Sequence, residues 1–283
     1  MPESWTLKVE RAELHFQELR RELAAYANGQ RFEVLPVDPL PECHLHGGTC
    51  WDYELHMTRQ PDPLLAVIAG DVLFNLRSAL DHIAVAMVPS KLRREASFPI
   101  EVKPIWERKG RRFVVREPDC RRRFRAATRG MPRGAVDLIE RIQPYHGRNE
   151  GPEQEALYQL SRLNNADKHR QLVAFAGGVQ NMICDVNAAG HFTRHVADVN
   201  QQGISYARDG THLFHFSSVV RMLPSDVIIQ LTGTPVVGIR IEAPYGGEKR
   251  PGVIGVEELL RLLIQHIGRG ILPALEPYVR PRA

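Results

Sequence analysis

Residues 62–88, DPLLAVIAGDVLFNLRSALDHIAVAMV, constrain this chain more than any other stretch. The spacing predicts one long helix. Asp62 suits the cap, Pro63 the first turn, and Pro89 ends it. Its length would be roughly 40 Å over about 27 residues. At about 100° per residue, Val72, Leu73, Leu76, Ala79, Leu80, Ile83, Ala84 and Met87 fall in one apolar sector. The opposite sector carries Asp71, Asn75, Arg77, Ser78, Asp81 and His82. These are not the Lys/Glu fillers of an ordinary solvated face. They are groups that hydrogen-bond, hold phosphate and move protons. A helix with one apolar side needs a bundle to bury it, and its polar side is the first place to look for function.

The rest of the chain supplies that bundle and then changes period. Residues 4–27 read as a helix, with Trp5, Val9, Ala12, Phe16, Leu19, Leu23 and Tyr26 in a narrow stripe that packs on another helix. Residues 31–60 read as two strands of a hairpin, Trp51, Tyr53, Leu55 and Met57 alternating with polar residues. Residues 98–118 read as irregular or extended, 119–130 as a basic helix and 133–143 as a short amphipathic helix. A fourth main helix runs from about Pro152 to Ala176, where Gly177-Gly178 stops it. Period two then takes over, with strands expected at 179–188, 204–208, 211–222, 226–232 and 235–243. Short links between them argue for antiparallel pairing. From Val253 to about Pro277 the chain is helical again, kinked or split by Pro273. The expected fold is α+β. Residues 1–177 form a helical bundle with its hairpin and the basic segment 103–133. Residues 178–250 form an antiparallel β region, and 251–283 a helix that returns to the bundle.

Composition narrows the function classes. No run of eighteen apolar residues is present, so no membrane span is expected. The start, MPESWTLKVERAEL, is charged and amphipathic rather than a secretory leader, so the expected location is the cytoplasm. The four cysteines, Cys43, Cys50, Cys120 and Cys184, are too scattered for a disulfide scaffold. Cys43-His44-Leu45-His46 with Cys50 matches no standard zinc spacing and reads as a polar loop. No metal and no cofactor is expected.

Charge is uneven along the chain. Between Lys103 and Arg133 there are twelve Lys/Arg against three Asp/Glu, and Phe113 and Phe124 lie among the arginines. Arginine beside aromatics suits phosphate contact and base stacking, which makes Arg111, Arg112, Arg121, Arg122 and Arg123 candidate nucleic-acid contacts. The competing reading is a solvated basic face. Only six lysines occur in the whole chain, so arginine is its usual cation.

A second polar cluster sits in the fourth helix, SRLNNADKHRQL. Leu157, Leu160 and Phe175 set its apolar direction, and Asn164, Asp167 and Lys168 fall within about 60° of it. A carboxylate facing a bundle is costly unless paired, and Arg77 is the expected partner of Asp167. This cluster fits either a buried network that fixes helix register or a binding site using Ser78, Asp81, Asp167, Lys168, His169 and Arg170.

FNLRSALDHIAVAM, the FPI of residues 98–100 and LNNADKHRQL together resemble a widespread set of uncharacterised bacterial proteins, in which an N-L-R-S-A-L-D-H helix precedes a D-K-H-R element. The likeness covers about half the chain and carries no activity with it. Arg77-Ser-Ala-Leu-Asp-His82 is also an R-x4-H string, which resembles the signature of the HEPN superfamily of small helical bundles. Many of those are dimeric, metal-independent ribonucleases. The resemblance implies that Arg77 holds the scissile phosphate, that His82 is general acid or base, and that Asn75 assists. The strand region and the DKHR element lie outside that pattern. On an ideal helix Arg77 and His82 are about 140° apart, so a shared site needs the seam of a homodimer. The expected function is an RNA-cleaving, HEPN-like ribonuclease. The alternative is a noncatalytic module that binds a nucleotide, a nucleic acid or a protein partner, its polar residues forming a structural network. No G-x-S-x-G elbow, P-loop or dinucleotide fingerprint is present.

Overall fold

The long helix forms because both of its ends are signalled locally. The Asp62 carboxylate accepts the Leu64 N–H at 2.8 Å, and the Asp62 carbonyl accepts that of Leu65 at 3.0 Å. In the computed structural model the helix spans Leu64–Ala86 (α2), within the range read from the sequence. The structure describes residues 3–28, 32–37, 49–101, 106–109, 112–115, 118–144, 152–168, 175–188, 191–196, 206–208, 210, 212–218, 223–241 and 252–279. All eight residues of the apolar sector are buried, seven in α2 and Met87 one position past its end.

The chain divides into two compact units: residues 1–20, 66–174 and 241–283, and residues 21–65 and 175–240. The first unit is the helical one. It holds most of α2, the start of α1 (Ser4–Ala27), the small hairpin β3 (Trp106–Lys109) and β4 (Arg112–Val115), α3 (Pro118–Ala127), α4 (Arg133–Arg141) and α5 (Pro152–Lys168). After the short strand β10 (Gly252–Gly255), the chain ends in α6 (Val256–Ile264), a π-helical stretch Gln265–Ile271, and α7 (Leu272–Leu275). This last helix belongs to the same compact unit as the other helices. It packs on α5, Arg20 meets Glu257 at 2.8 Å, and Trp5 donates to Glu276 at 3.3 Å. Pro273 cannot donate to the Arg269 carbonyl, and the turn in front of it opens into the π stretch. Gly268 lies there, where a Cβ would stand 3.1 Å from Val9 Cγ1, so α1 approaches closely.

The second unit is built on strands. β1 (Phe32–Val37), β2 (Thr49–Met57) and β8 (His212–Ser218) form an antiparallel sheet in that order. β5 (Phe175–Ala188) pairs along one edge with β9 (Val227–Ile241). Its other edge takes β7 (Tyr206–Arg208) beside Gly178–Gln180 and β6 (His191–Val196) beside Ile183–Ala188. Tyr53, Phe214, Val186, Ala188 and Val227 make the core of this unit, with Tyr53 stacked on Phe214 at 4.9 Å. Burial pushes the Tyr53 hydroxyl above its ordinary pKa. On the other side of the sheet the Asp52 carboxylate meets His215 at 2.7 Å and His212 at 3.2 Å.

The architecture is α+β, as the change of period implies, but several details differ. Phe175 and Ala176 belong to β5 and not to the fourth helix, which ends at Lys168 among the described residues. β6 was not anticipated. The two strands expected at 226–232 and 235–243 are one, β9, with Pro235 inside it opposite Val179. Proline removes a donor but keeps an extended φ, so it interrupts a ladder bond without ending the strand. The expected hairpin is present, yet β2 also pairs with β8, which ties residues 49–57 to the β region. The α1 stripe is occupied within the chain: Trp5, Ala12, Phe16, Leu19, Leu23 and Tyr26 are buried. It is therefore not a free seam for a second copy.

Candidate functional site

Arg77 and Asp81 lie one helical turn apart on α2 and act as one unit. The Arg77 guanidinium donates through Nη2 to Asp81 Oδ1 at 2.9 Å and to the Phe98 carbonyl at 2.7 Å. The Phe98 N–H donates back to Asp81 Oδ1 at 2.9 Å. Both backbone groups of Phe98 are thus satisfied by side chains of one helix. Gln143, fully buried just past the end of α4, continues the pattern. Its Nε2 donates to the Pro99 carbonyl at 3.0 Å and to Ile139 at 2.9 Å, and its Oε1 accepts the Glu101 N–H at 2.7 Å. Residues 98–101 belong to no helix or strand among the described residues, and every buried polar backbone group needs a partner somewhere. Arg77, Asp81 and Gln143 provide it.

This clasped segment forms one wall of a polar cleft of about 500 Å³. α2 contributes Arg77, α3 contributes Arg123 with Ala126 and Ala127, and α5 contributes Ser161, Asn164 and Asn165. Glu95, Ser97 and Glu101 complete the charged and hydroxyl lining. Arg123, 62% exposed at the rim, is 3.6 Å from the Glu101 carboxylate. The pair is long, with its arginine in solvent and its carboxylate only 13% exposed. Asn164 differs: only 4% exposed, it lines the cleft, and its side chain makes no hydrogen bond with the described residues.

Of the residues singled out in the sequence, the cleft brings together Arg77, Arg123, Asn164 and the Phe98-Pro99-Ile100 segment. Asp81 stands behind Arg77 in the clamp. His82 and Ser78 are half-buried on α2 and do not line the cleft. Asn75 is buried, and its amide donates to the Asp71 carbonyl at 2.8 Å, one turn back along the helix. Arg121 is half-buried and Arg122 exposed on α3. Arg77 finds its carboxylate in Asp81. The side chains of the proposed partner Asp167 and of Lys168 lie outside the described residues, as do His169, Arg170, Arg111, the side chain of Arg112 and the loop with Cys43, His44 and His46. Among the described residues no cluster of His, Cys, Asp or Glu has the geometry to hold a metal ion, and no helix is long and apolar enough to cross a membrane.

Sequence reasoning missed Gln143, Glu95, Glu101 and Ser161. The Gln143 role has no local signal, because it depends on which segment passes beside the end of α4. Asn164 was legible as a polar residue turned toward the bundle. No family model, curated protein or solved structure matches the chain.

Proposed function

We propose that this protein binds RNA through the cleft and the arginine face of α3, as a noncatalytic module. The observation that carries the reading is the convergence of Arg77 and Arg123 on one cleft. Arg77 is held rigid by Asp81 and the Phe98 peptide, while Arg123 comes from the most basic helix of the chain. A preorganised guanidinium loses little freedom when it meets a phosphate, and exposed arginines nearby add counterion release. The test is fluorescence anisotropy with a labelled single-stranded RNA at several salt concentrations. Binding should weaken steeply with salt, and R122Q/R123Q should lower the slope by roughly 0.7 for each phosphate no longer neutralised. RNA affinity that is unchanged in that variant would overturn the reading.

A ribonuclease is the second reading, favoured by the half-buried state of His82, which is not sealed in the core. Cleavage would form a bond from the 2′-oxygen to phosphorus and break the bond to the 5′-oxygen. His82 would take or give the proton and an arginine would steady the charge. Because His82 lies off the cleft, a second copy must supply it. H82A should then lower cleavage by about 10²–10⁴, and excess chelator should leave the wild type unaffected. Activity that dies with chelator, or survives H82A, belongs to another agent.

A further inference from the structure

We propose that the cleft seats a single RNA base, its hydrogen-bonding edge read by the side-chain amide of Asn164 and its phosphate held at the Arg123 rim. This rests on the RNA-binding reading of the same cleft. The first observation is the state of Asn164 itself. It is 4% exposed, it opens on the cleft, and its amide has no hydrogen-bond partner among the described residues. A buried amide needs its hydrogen bonds met, and a molecule in the cleft can meet them here. Water can do this in the free protein. A ligand that displaces the water must bring equivalent bonds.

The chemistry of the lining selects the ligand. An amide presents an acceptor and a donor side by side in one plane. A phosphate has acceptors only and would use half of that pair. A base edge with a donor next to an acceptor, such as adenine, uses both. Glu101 on the same wall repels a phosphate at depth but accepts from hydroxyl or amino groups. Ser161, one turn before Asn164 and Asn165 on α5, adds a hydroxyl suited to ribose. Ala126 and Ala127 leave low relief on the α3 side, where a flat ring fits. Phosphates are then left to the two arginines, Arg123 at the rim for the seated nucleotide and Arg77 on the α2 wall. The volume, about 500 Å³, suits one nucleotide unit and not a stacked run.

The test is calorimetric titration of the full chain with AMP, GMP and ribose 5-phosphate, and competition of AMP against labelled oligo(A). AMP should bind about tenfold or more tighter than ribose 5-phosphate, the size of one good bidentate pair, and should displace the RNA. N164A should erase that advantage and leave ribose 5-phosphate binding as it was. N164D, nearly isosteric, replaces a donor by a second acceptor, so its preference should move toward GMP, whose N1–H and N2–H₂ are two donors. That change of ranking is something a purely structural asparagine would not produce, and thermal melts identify any variant that fails to fold. Equal binding of AMP and ribose 5-phosphate, or an unchanged ranking in N164D, overturns the base subsite. If RNA is still held in that case, the RNA-binding reading stands. If AMP binds as expected but oligo(A) does not, the ligand is a free nucleotide and the RNA reading falls. If neither binds, both fall.

Discussion

At the scale of residues, Arg77 has a structural duty whatever else it does. Its Nη2 joins Asp81 to the Phe98 carbonyl, and removing it leaves that carboxylate and carbonyl without a charged donor. R77A should lower stability by about 1.5–3 kcal/mol, a charged hydrogen bond's worth, and toward the lower end because the Arg77 side chain is 21% exposed and water reaches it. Urea denaturation checks this, and an R77A protein as stable as the wild type would mean the clamp contributes nothing. For the same reason R77A is a poor probe of catalysis. Asp52 gives a pH-dependent case. Hydrogen bonds from His215 first and His212 second hold its carboxyl below the ordinary carboxylate range. A depressed folded-state pKa stabilises above the unfolded value, about 3.9, and that contribution is lost as pH falls through the folded value. The melting temperature of the wild type should therefore exceed that of D52N near neutrality, and the gap should close on acidification below about pH 4. A gap that is constant with pH would deny the carboxylate this role. The sequence places Arg77 and Asp81 four apart on one polar face, yet the partner expected for Arg77 is Asp167, whose side chain lies outside the described residues. Their shared target, the Phe98 peptide, was not legible, because helical spacing shows which side chains are neighbours and not which distant backbone arrives beside them.

At the scale of elements, the ends of helices were the most readable features, because caps and stops act within a few residues. Asp62 and Pro89 bracket α2. Strand boundaries were less readable. Whether Phe175 and Ala176 extend a helix or begin β5 is decided by Gly238 and Ile239, their partners across the sheet, and such pairing leaves no local trace. One turn depends on a single residue. After α3 the chain turns at Gly130 with φ +83°, and a Cβ there would stand 2.5 Å from Leu92 Cδ1. G130A should cost about 1–2 kcal/mol from the left-handed backbone alone, with a further loss from displacing Leu92. A thermal melt within a degree of wild type would show that the turn adopts another conformation without strain. Because α3 carries Arg123 into the cleft, G130A should also weaken RNA binding, whereas the same change at the exposed Gly210, φ +73° with open space around it, should cost backbone strain but leave binding alone.

For the whole molecule, what separates a binding module from a ribonuclease is whether a second copy is needed. Arg77 and His82 are about 140° apart around α2, and only Arg77 opens on the cleft. On the ribonuclease reading, the partner of Arg77 at one phosphate is therefore expected from a second copy. The α1 stripe that suggested a seam in the sequence is consumed inside the chain. Among the described residues, apolar side chains are exposed on α1 (Leu7 48%, Leu14 61%) and on α2, and the pair that lies beside Arg77 and His82 is on α2, where Val67 and Phe74 are 51% and 52% exposed. Seven residues apart, they lie within about 20° of each other on the helix, flanked by Arg77 on one side and His82 on the other. An isologous contact there would set Phe74 against its counterpart. If the protein is a ribonuclease, light scattering at tens of micromolar, the order at which moderate dimers persist, should give the mass of a dimer. F74E should then give a monomer with no cleavage and an unaltered melt. Lys8 sits 5.7 Å from the Phe74 ring centroid, so a glutamate at that position keeps a local partner, and the variant removes apolar surface without stranding a charge. A wild type that is monomeric at these concentrations, or an F74E monomer that still cleaves, removes the ribonuclease reading. RNA binding through a cleft contained in a single chain would be untouched by either result.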